Sequence, residues 1–147
     1  METALFLSYT GFNQSLVILI KSEKNSFYLG PKISLSNYYM PLSSIWGINM
    51  GIRHDFAQAG TLKAFFNIDY QNSLFRPNGF SEKIKYNIIH EFNASYGLHY
   101  NLFKGLSIGN SIGFGRYLEF YHDIIENRKN IYQGYSGLLK IHMNYDF

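Results

Sequence analysis

At 147 residues, with 18% aromatics, 13 Gly and only 3 Pro, the chain reads as one domain spanning 1–147 and built from residue types that favour strands. The lack of Cys excludes disulfides and thiolate metal sites, and a net charge of +3 without a basic block argues against nucleic acid as a partner. Mean hydropathy is slightly negative and no apolar run approaches the ~18 residues of a spanning helix, so any membrane crossing has to be made by strands.

In chain order, Leu5 to Tyr9 alternates loosely and Leu16 to Ile20 is continuously apolar. A break at Gly11, Phe12, Asn13 and Gln14 divides this region into two short strands; without it, residues 5–21 form one strand and the total falls by one. Phe27, Leu29, Pro31, Ile33 and Leu35 then oppose Tyr28, Gly30, Lys32, Ser34 and Ser36, the Pro costing one ladder donor. Trp46, Ile48, Met50 and Ile52 oppose Gly47, Asn49, Gly51 and Arg53, and Leu62, Ala64, Phe66, Ile68 and Tyr70 oppose Lys63, Asn67, Asp69 and Gln71. Tyr86, Ile88, Phe92, Ala94, Tyr96, Leu98 and Tyr100 share a face against Lys85, Asn87, Glu91, Asn93, Ser95, Gly97 and His99, with Ile89 and His90 out of pattern. Leu106, Ile108, Ile112, Phe114, Leu118 and Phe120 repeat the alternation, broken by Asn110 and Arg116. The last strand sets Ile131, Gln133, Tyr135, Leu139, Ile141, Met143, Tyr145 and Phe147 against Lys140, His142, Asn144 and Asp146.

Apolar-out, polar-in alternation over eight segments predicts an all-β fold, an eight-stranded antiparallel up-and-down transmembrane β-barrel, because backbone groups in hydrocarbon must pair within a closed sheet. Connections at 22–25, 54–60 and 101–105 are short, whereas 37–44, 73–82 and 122–130 are longer; short turns belong to the periplasmic end and long loops to the exterior.

This pattern, together with the terminal Tyr145-Asp146-Phe147, resembles the small eight-stranded outer-membrane barrels of OmpA/OmpX type, and the Ile, Asn, Lys and Tyr-rich composition is similar to such proteins from Bacteroidetes-like bacteria. The resemblance implies residence in the bacterial outer membrane among lipid and lipopolysaccharide. It also implies an assembly signal at Ile141, Met143, Tyr145 and Phe147, read by the barrel-assembly machinery. A signal peptide is expected of such a protein; Met1 to Ala4 carries no basic and apolar leader, so the sequence reads as a form without one.

An eight-stranded barrel is filled by side chains, and the inward set here contains Lys32, Arg53, Lys63 and Lys140 beside Asp69, Glu91, Glu119 and Asp146. Four cations among four carboxylates predict an internal ion-pair network, since buried charges are tolerated when paired. Catalytic alternatives fare poorly. A lipid A deacylase-like pattern needs a Ser two positions from a His on one face, but Asn101 follows His99, Asn144 follows His142 and Phe92 follows His90. The five His are dispersed, with no HxxxH or HExxH spacing, and Gly109, Gly113 and Gly115 lack the Lys-Ser/Thr of a phosphate loop, so no catalytic, metal or cofactor site is expected.

The outward polar residues carry more. A turn at 101–105 sets Tyr100 opposite Leu106, His90 opposite Arg116 and Asn110 opposite Tyr96, so that His90, Tyr96, Asn110, Phe114 and Arg116 form a candidate lateral contact with a protein partner. Aromatic girdles are expected from Tyr9, Tyr38, Tyr39, Trp46, Tyr86, Phe120 and Tyr121 at the outer rim, and from Tyr100, Phe103, Tyr145 and Phe147 at the periplasmic rim. Arg76, Lys83, Arg128 and Lys129 lie in or beside exterior loops, within reach of lipopolysaccharide phosphates. The expected role is a non-enzymatic structural or accessory barrel packed against a larger outer-membrane complex; a lipid A-modifying enzyme and a narrow conductance protein are the alternatives.

Overall fold

A computed structural model describes residues 1–36, 44–76, 84–103, 105–123 and 128–145, the side chains of 44, 45, 76, 84–86, 121–123 and 128 aside. Eight strands, β1 Glu2–Ser8, β2 Gly11–Ser22, β3 Asn25–Ser36, β4 Ser44–Ala59, β5 Leu62–Arg76, β6 Ile84–Phe103, β7 Leu106–Asp123 and β8 Arg128–Tyr145, pair in sequence order and close into an antiparallel barrel. Closure joins the two ends of the chain: the Tyr145 N–H donates to the Met1 carbonyl at 2.8 Å, and the Met1 ammonium donates to the Tyr145 carbonyl at 2.7 Å.

The alternation read from the sequence sets the two faces. Ile33, Trp46, Ile68, Leu98, Ile112 and Ile141 point outward and are exposed, while Lys32, Asn49, Asp69, Glu91, His99 and Lys140 are buried in the lumen. The interior is thus polar and the exterior apolar, the inverse of a water-soluble sandwich. Register is tightly specified, because a one-residue slip would exchange the two sets.

The turn between β1 and β2 is at Tyr9 and Thr10, not at Gly11 to Gln14. Gly11 takes a φ of 107°, a left-handed conformation that Gly adopts without penalty, and β2 begins there. Phe12, Asn13 and Gln14 are strand residues paired to β1. β4 likewise continues through His54 to Ala59 and turns at Gly60 and Thr61, with a bulge at Phe56 absorbing the change of phase. β6 runs to Phe103, leaving only residue 104 and Gly105 before Leu106. Tyr100 therefore pairs with Ile108 instead of Leu106, His90 with Leu118 instead of Arg116, and Asn110 with Leu98 instead of Tyr96.

The barrel is strongly staggered. The row of cross-strand partners Leu5, Gln14, Ile33, Trp46, Leu74, Ile88, Phe120 and Ile131 returns to β1 out of step, since Leu5 pairs with Ile141, ten residues beyond Ile131. A shear of ten over eight strands demands a steep tilt. One consequence is local: β8 extends well beyond the short β1, whose last partner on it is Leu139.

Candidate functional site: the lumen network and the outer wall

The lumen is crossed by side chains at three levels. At the end of the barrel that carries the longer connections, the Tyr9–Thr10 turn folds inward. The Tyr9 ring stacks on Tyr117 at 3.5 Å and 10°, its hydroxyl donates to Glu119 at 3.2 Å, and both rings pack on Phe75 and Ile89. Glu91, on the far wall, accepts from the Tyr9 N–H at 3.2 Å and from the Ser8 and Thr10 hydroxyls at 3.1 Å. Tyr9 thus plugs this mouth of the lumen and does not belong to an outward-facing aromatic girdle.

At mid-depth, Lys32 lies 3.8 Å from Glu91 and donates to Gln71 at 3.0 Å. Lys140 bridges Asp69 at 3.4 Å and Glu2 at 3.5 Å, and Arg53 donates to Glu2 at 2.9 Å. Asp69 also accepts from the Tyr28 hydroxyl and the Asn67 amide. Gly51 leaves the space that the Tyr28 hydroxyl fills, since a Cβ there would collide with it. Arg53 lies over the Phe65 ring at 4.8 Å and Lys140 over Tyr28 at 4.5 Å, so each buried cation meets an aromatic face as well as a carboxylate.

Toward the opposite end, His142 Nε2 and His99 Nδ1 are 3.1 Å apart, with the Asn144 amide 3.5 Å from the same His99 nitrogen. Phe65 packs against both imidazoles. Below them opens a vestibule of about 480 Å³, lined in part by Lys21, Arg53, Lys63, His99 and Asn144.

The eight charges singled out in the sequence do not form one network. Lys32 with Glu91, and Lys140 with Asp69, meet at the centre; Lys63 pairs instead with Asp55 at 3.8 Å near the vestibule, where both are partly exposed. Among the described residues, Glu119 is held by Tyr9 and Asn87, not by a cation. Asp146 lies outside the described residues. Glu2, which neutralises both Arg53 and Lys140, is not legible in the sequence because the first residues alternate too briefly to show a strand; its one signal is a lone carboxylate ahead of Ala4 and Phe6.

On the outer wall, Tyr96, Phe114 and Arg116 are exposed on neighbouring strands, and Arg116 lies over the Tyr135 ring at 5.8 Å. His90 is engaged within the wall, its Nδ1 2.8 Å from the Tyr70 hydroxyl and 3.3 Å from the Asn72 amide. Asn110 is exposed between Ile108 and Ile112, beside Leu98 and Ile141, and no described side chain hydrogen-bonds to it. It lies in a lipid-side groove of about 920 Å³ lined also by Ala64, Tyr96, Ile112 and Leu139. Among the signal positions of β8, Ile141, Met143 and Tyr145 are exposed on the outward face, and Phe147 lies outside the described residues. Of the loop cations, Lys129 is exposed; Lys83 and the side chains of Arg76 and Arg128 lie outside the described set, as do Tyr38, Tyr39 and the side chains of Tyr86 and Tyr121. No group of three or more His, Asp or Glu among the described residues is arranged to hold a metal ion.

These features define the fold of a small outer-membrane β-barrel. The chain is similar to the crystal structure of Neisserial surface protein A, with a TM-score of 0.60 and 15% identity over 99% of this chain and 92% of that one. KdgM porin in complex with disordered oligogalacturonate aligns over 99% of this chain and 98% of its own, at 10% identity and a TM-score of 0.28, too loosely to carry an argument. Neither a protein-family model nor a curated relative matches the sequence.

Proposed function

We propose that this protein is a non-enzymatic structural or accessory barrel of the bacterial outer membrane, held laterally against a larger membrane complex through the β6–β7 wall. Asn110 carries the reading. An amide exposed in an apolar, lipid-facing groove is left with its polar atoms unbonded unless a neighbour supplies a partner, and that cost favours a protein contact there. Tyr96 and Phe114 supply the apolar anchors around it, and Arg116 the charged one. Aromatic and Arg side chains dominate the binding energy of most interfaces.

The filled lumen supports the same reading against a conductance protein: the Tyr9–Tyr117 stack, the Lys32–Glu91 and Lys140–Glu2 pairs and the His99–His142 pair obstruct it in succession. Both buried histidines face each other, away from lipid, and neither presents a neighbouring hydroxyl toward an acyl chain. Lipid and lipopolysaccharide surround the wall in this account, with Lys129 among the cations available to phosphates, and the outward aromatic positions of β8, ending on Phe147, serve the barrel-assembly machinery.

Purification in mild detergent followed by mass spectrometry of co-purifying membrane proteins tests the proposal. Tyr96→Ala, Phe114→Ala and Arg116→Ala are expected to deplete a partner while leaving the barrel folded. An unchanged set of co-purifying proteins would contradict the lateral contact. His99→Ala and His142→Ala are expected to leave the lipid A acyl pattern unaltered; a protein-dependent acyl difference that vanishes in either variant would establish the enzymatic alternative.

A further inference from the structure

We propose that the outer half of β8, from Ile131 to Gly137, is a docking edge on which an extended segment of a different polypeptide adds as an antiparallel strand. β7 pairs with β8 along its whole length up to Arg128, whereas β1 covers β8 only between Asn144 and Leu139. Continuation of the same register would set Tyr9 opposite Gly137. Tyr9 instead gives its N–H to Glu91 and its ring to Tyr117 inside the lumen. The turn that plugs the barrel is thereby withdrawn from the wall.

Backbone groups of a strand point alternately to its two neighbours, and the Tyr145 N–H bonds to Met1. The odd-numbered residues of β8 therefore address the β1 side. Ile131, Gln133, Tyr135 and Gly137 each turn an N–H and a C=O toward a space where no described strand lies. A Cβ on Gly137 would meet nothing within 4 Å, and the Ile131 and Tyr135 side chains are 63% and 70% exposed. Strand edges that must stay unpaired are guarded by Lys, Pro or bulges. From Ile131 to Leu138 there is no charge and no Pro, and the β7–β8 register is unbroken.

The edge selects its occupant. Donors and acceptors repeated at strand spacing are matched by an extended polypeptide backbone; a lipid has no such repeat. A second copy in the same membrane presents its β8 running in the same sense. With strands inclined at roughly 35–45° to the barrel axis, two such edges related by a two-fold along the membrane normal cross at roughly 70–90° and form no ladder. The occupant is thus an uncharged extended segment of another protein, rising along β8 in the direction of β1, with apolar side chains beside Ile131 and Tyr135. This surface is separate from the β6–β7 wall, so loss of one contact leaves the other to be measured by itself.

Amide hydrogen exchange of the full-length barrel in detergent, read by NMR, tests the proposal. In the protein alone, the amides of Ile131, Gln133, Tyr135 and Gly137 should exchange fast while those of Tyr132, Gly134 and Ser136, bonded to β7, exchange slowly. A short synthetic peptide of alternating Val and Thr should slow the odd-numbered set by about tenfold or more, and its backbone N-methylated analogue should not. Gln133→Pro, which removes a donor on the open side and spares the β7 ladder, should abolish that protection in a barrel that still folds. Slow exchange of the odd-numbered amides without peptide would show that this chain covers its own edge and would overturn the proposal. So would a peptide that protects none of them, or one whose N-methylated analogue protects equally well.

Discussion

Lys140 occupies the position on which the interior charge balance turns, 3.4 Å from Asp69 and 3.5 Å from Glu2 and almost wholly buried. Its removal leaves Glu2 to Arg53 alone and Asp69 with only neutral donors. Breaking a buried pair from one side typically costs about 3–5 kcal/mol, because the abandoned charge stays desolvated. Lys140→Met is therefore expected to lower unfolding free energy by about that amount in urea titrations of the barrel in lipid vesicles, and Lys140→Met with Asp69→Asn to recover part of it. Equal stability of wild type and Lys140→Met would show that the pairs contribute nothing. Gly51→Val tests the same cluster sterically: it should displace Tyr28 from Asp69 and destabilise by about 2 kcal/mol, read by the same titration. The polarity of these positions was legible from alternation alone. Their partners were not, because a charge's position along a strand does not say which opposite wall it reaches; hence alternation places Lys63 among the lumen charges although it meets Asp55.

Among the elements, the β1–β2 hairpin departs furthest from the sequence reading. The Gly11-Phe12-Asn13-Gln14 stretch has turn-like composition, but only Gly11 has a backbone conformation that needs Gly, and the turn itself is built from Tyr9 and Thr10, residues common in strands. Contacts to Glu91, Glu119 and Tyr117 on the opposite wall hold it, and no local propensity records those. Tyr9→Ala, which deletes the stack and the bond to Glu119, is expected to cost about 2 kcal/mol and to leave that mouth of the lumen more open to water-soluble labelling at Ser73→Cys, a buried position beside Ile89. Unchanged labelling would contradict the plug. The β6–β7 hairpin shows the other kind of limit. Alternation locates its strands, but a strand end at Phe103 and a bulge beside it shift the cross-strand pairs from Asn87–Tyr121 to Asn101–Ser107 by two residues, and side-chain alternation is blind to a shift of two. β8 was the most legible element, and deletion of Phe147 is expected to reduce the folded, membrane-inserted fraction in cells; unchanged insertion efficiency would count against a terminal assembly signal.

At the scale of the whole molecule, eight strands, closure and the prevailing direction of the described strand faces follow from one physical demand: most apolar side chains meet lipid while most polar ones pair inside a closed sheet. That demand acts at every second residue, which is why the architecture could be read from a single sequence. It is silent about partners, because the same exterior suits a barrel that stands alone and one packed in a complex. The most direct measurement is therefore of the two faces themselves, by spin labels placed at Phe66, Asp69, Glu91 and Leu98 of the membrane-inserted protein. Labels at 66 and 98 are expected to collide with lipid-dissolved oxygen and labels at 69 and 91 to be shielded from it; oxygen reaching 69 and 91 while missing 66 and 98 would contradict the transmembrane barrel described here.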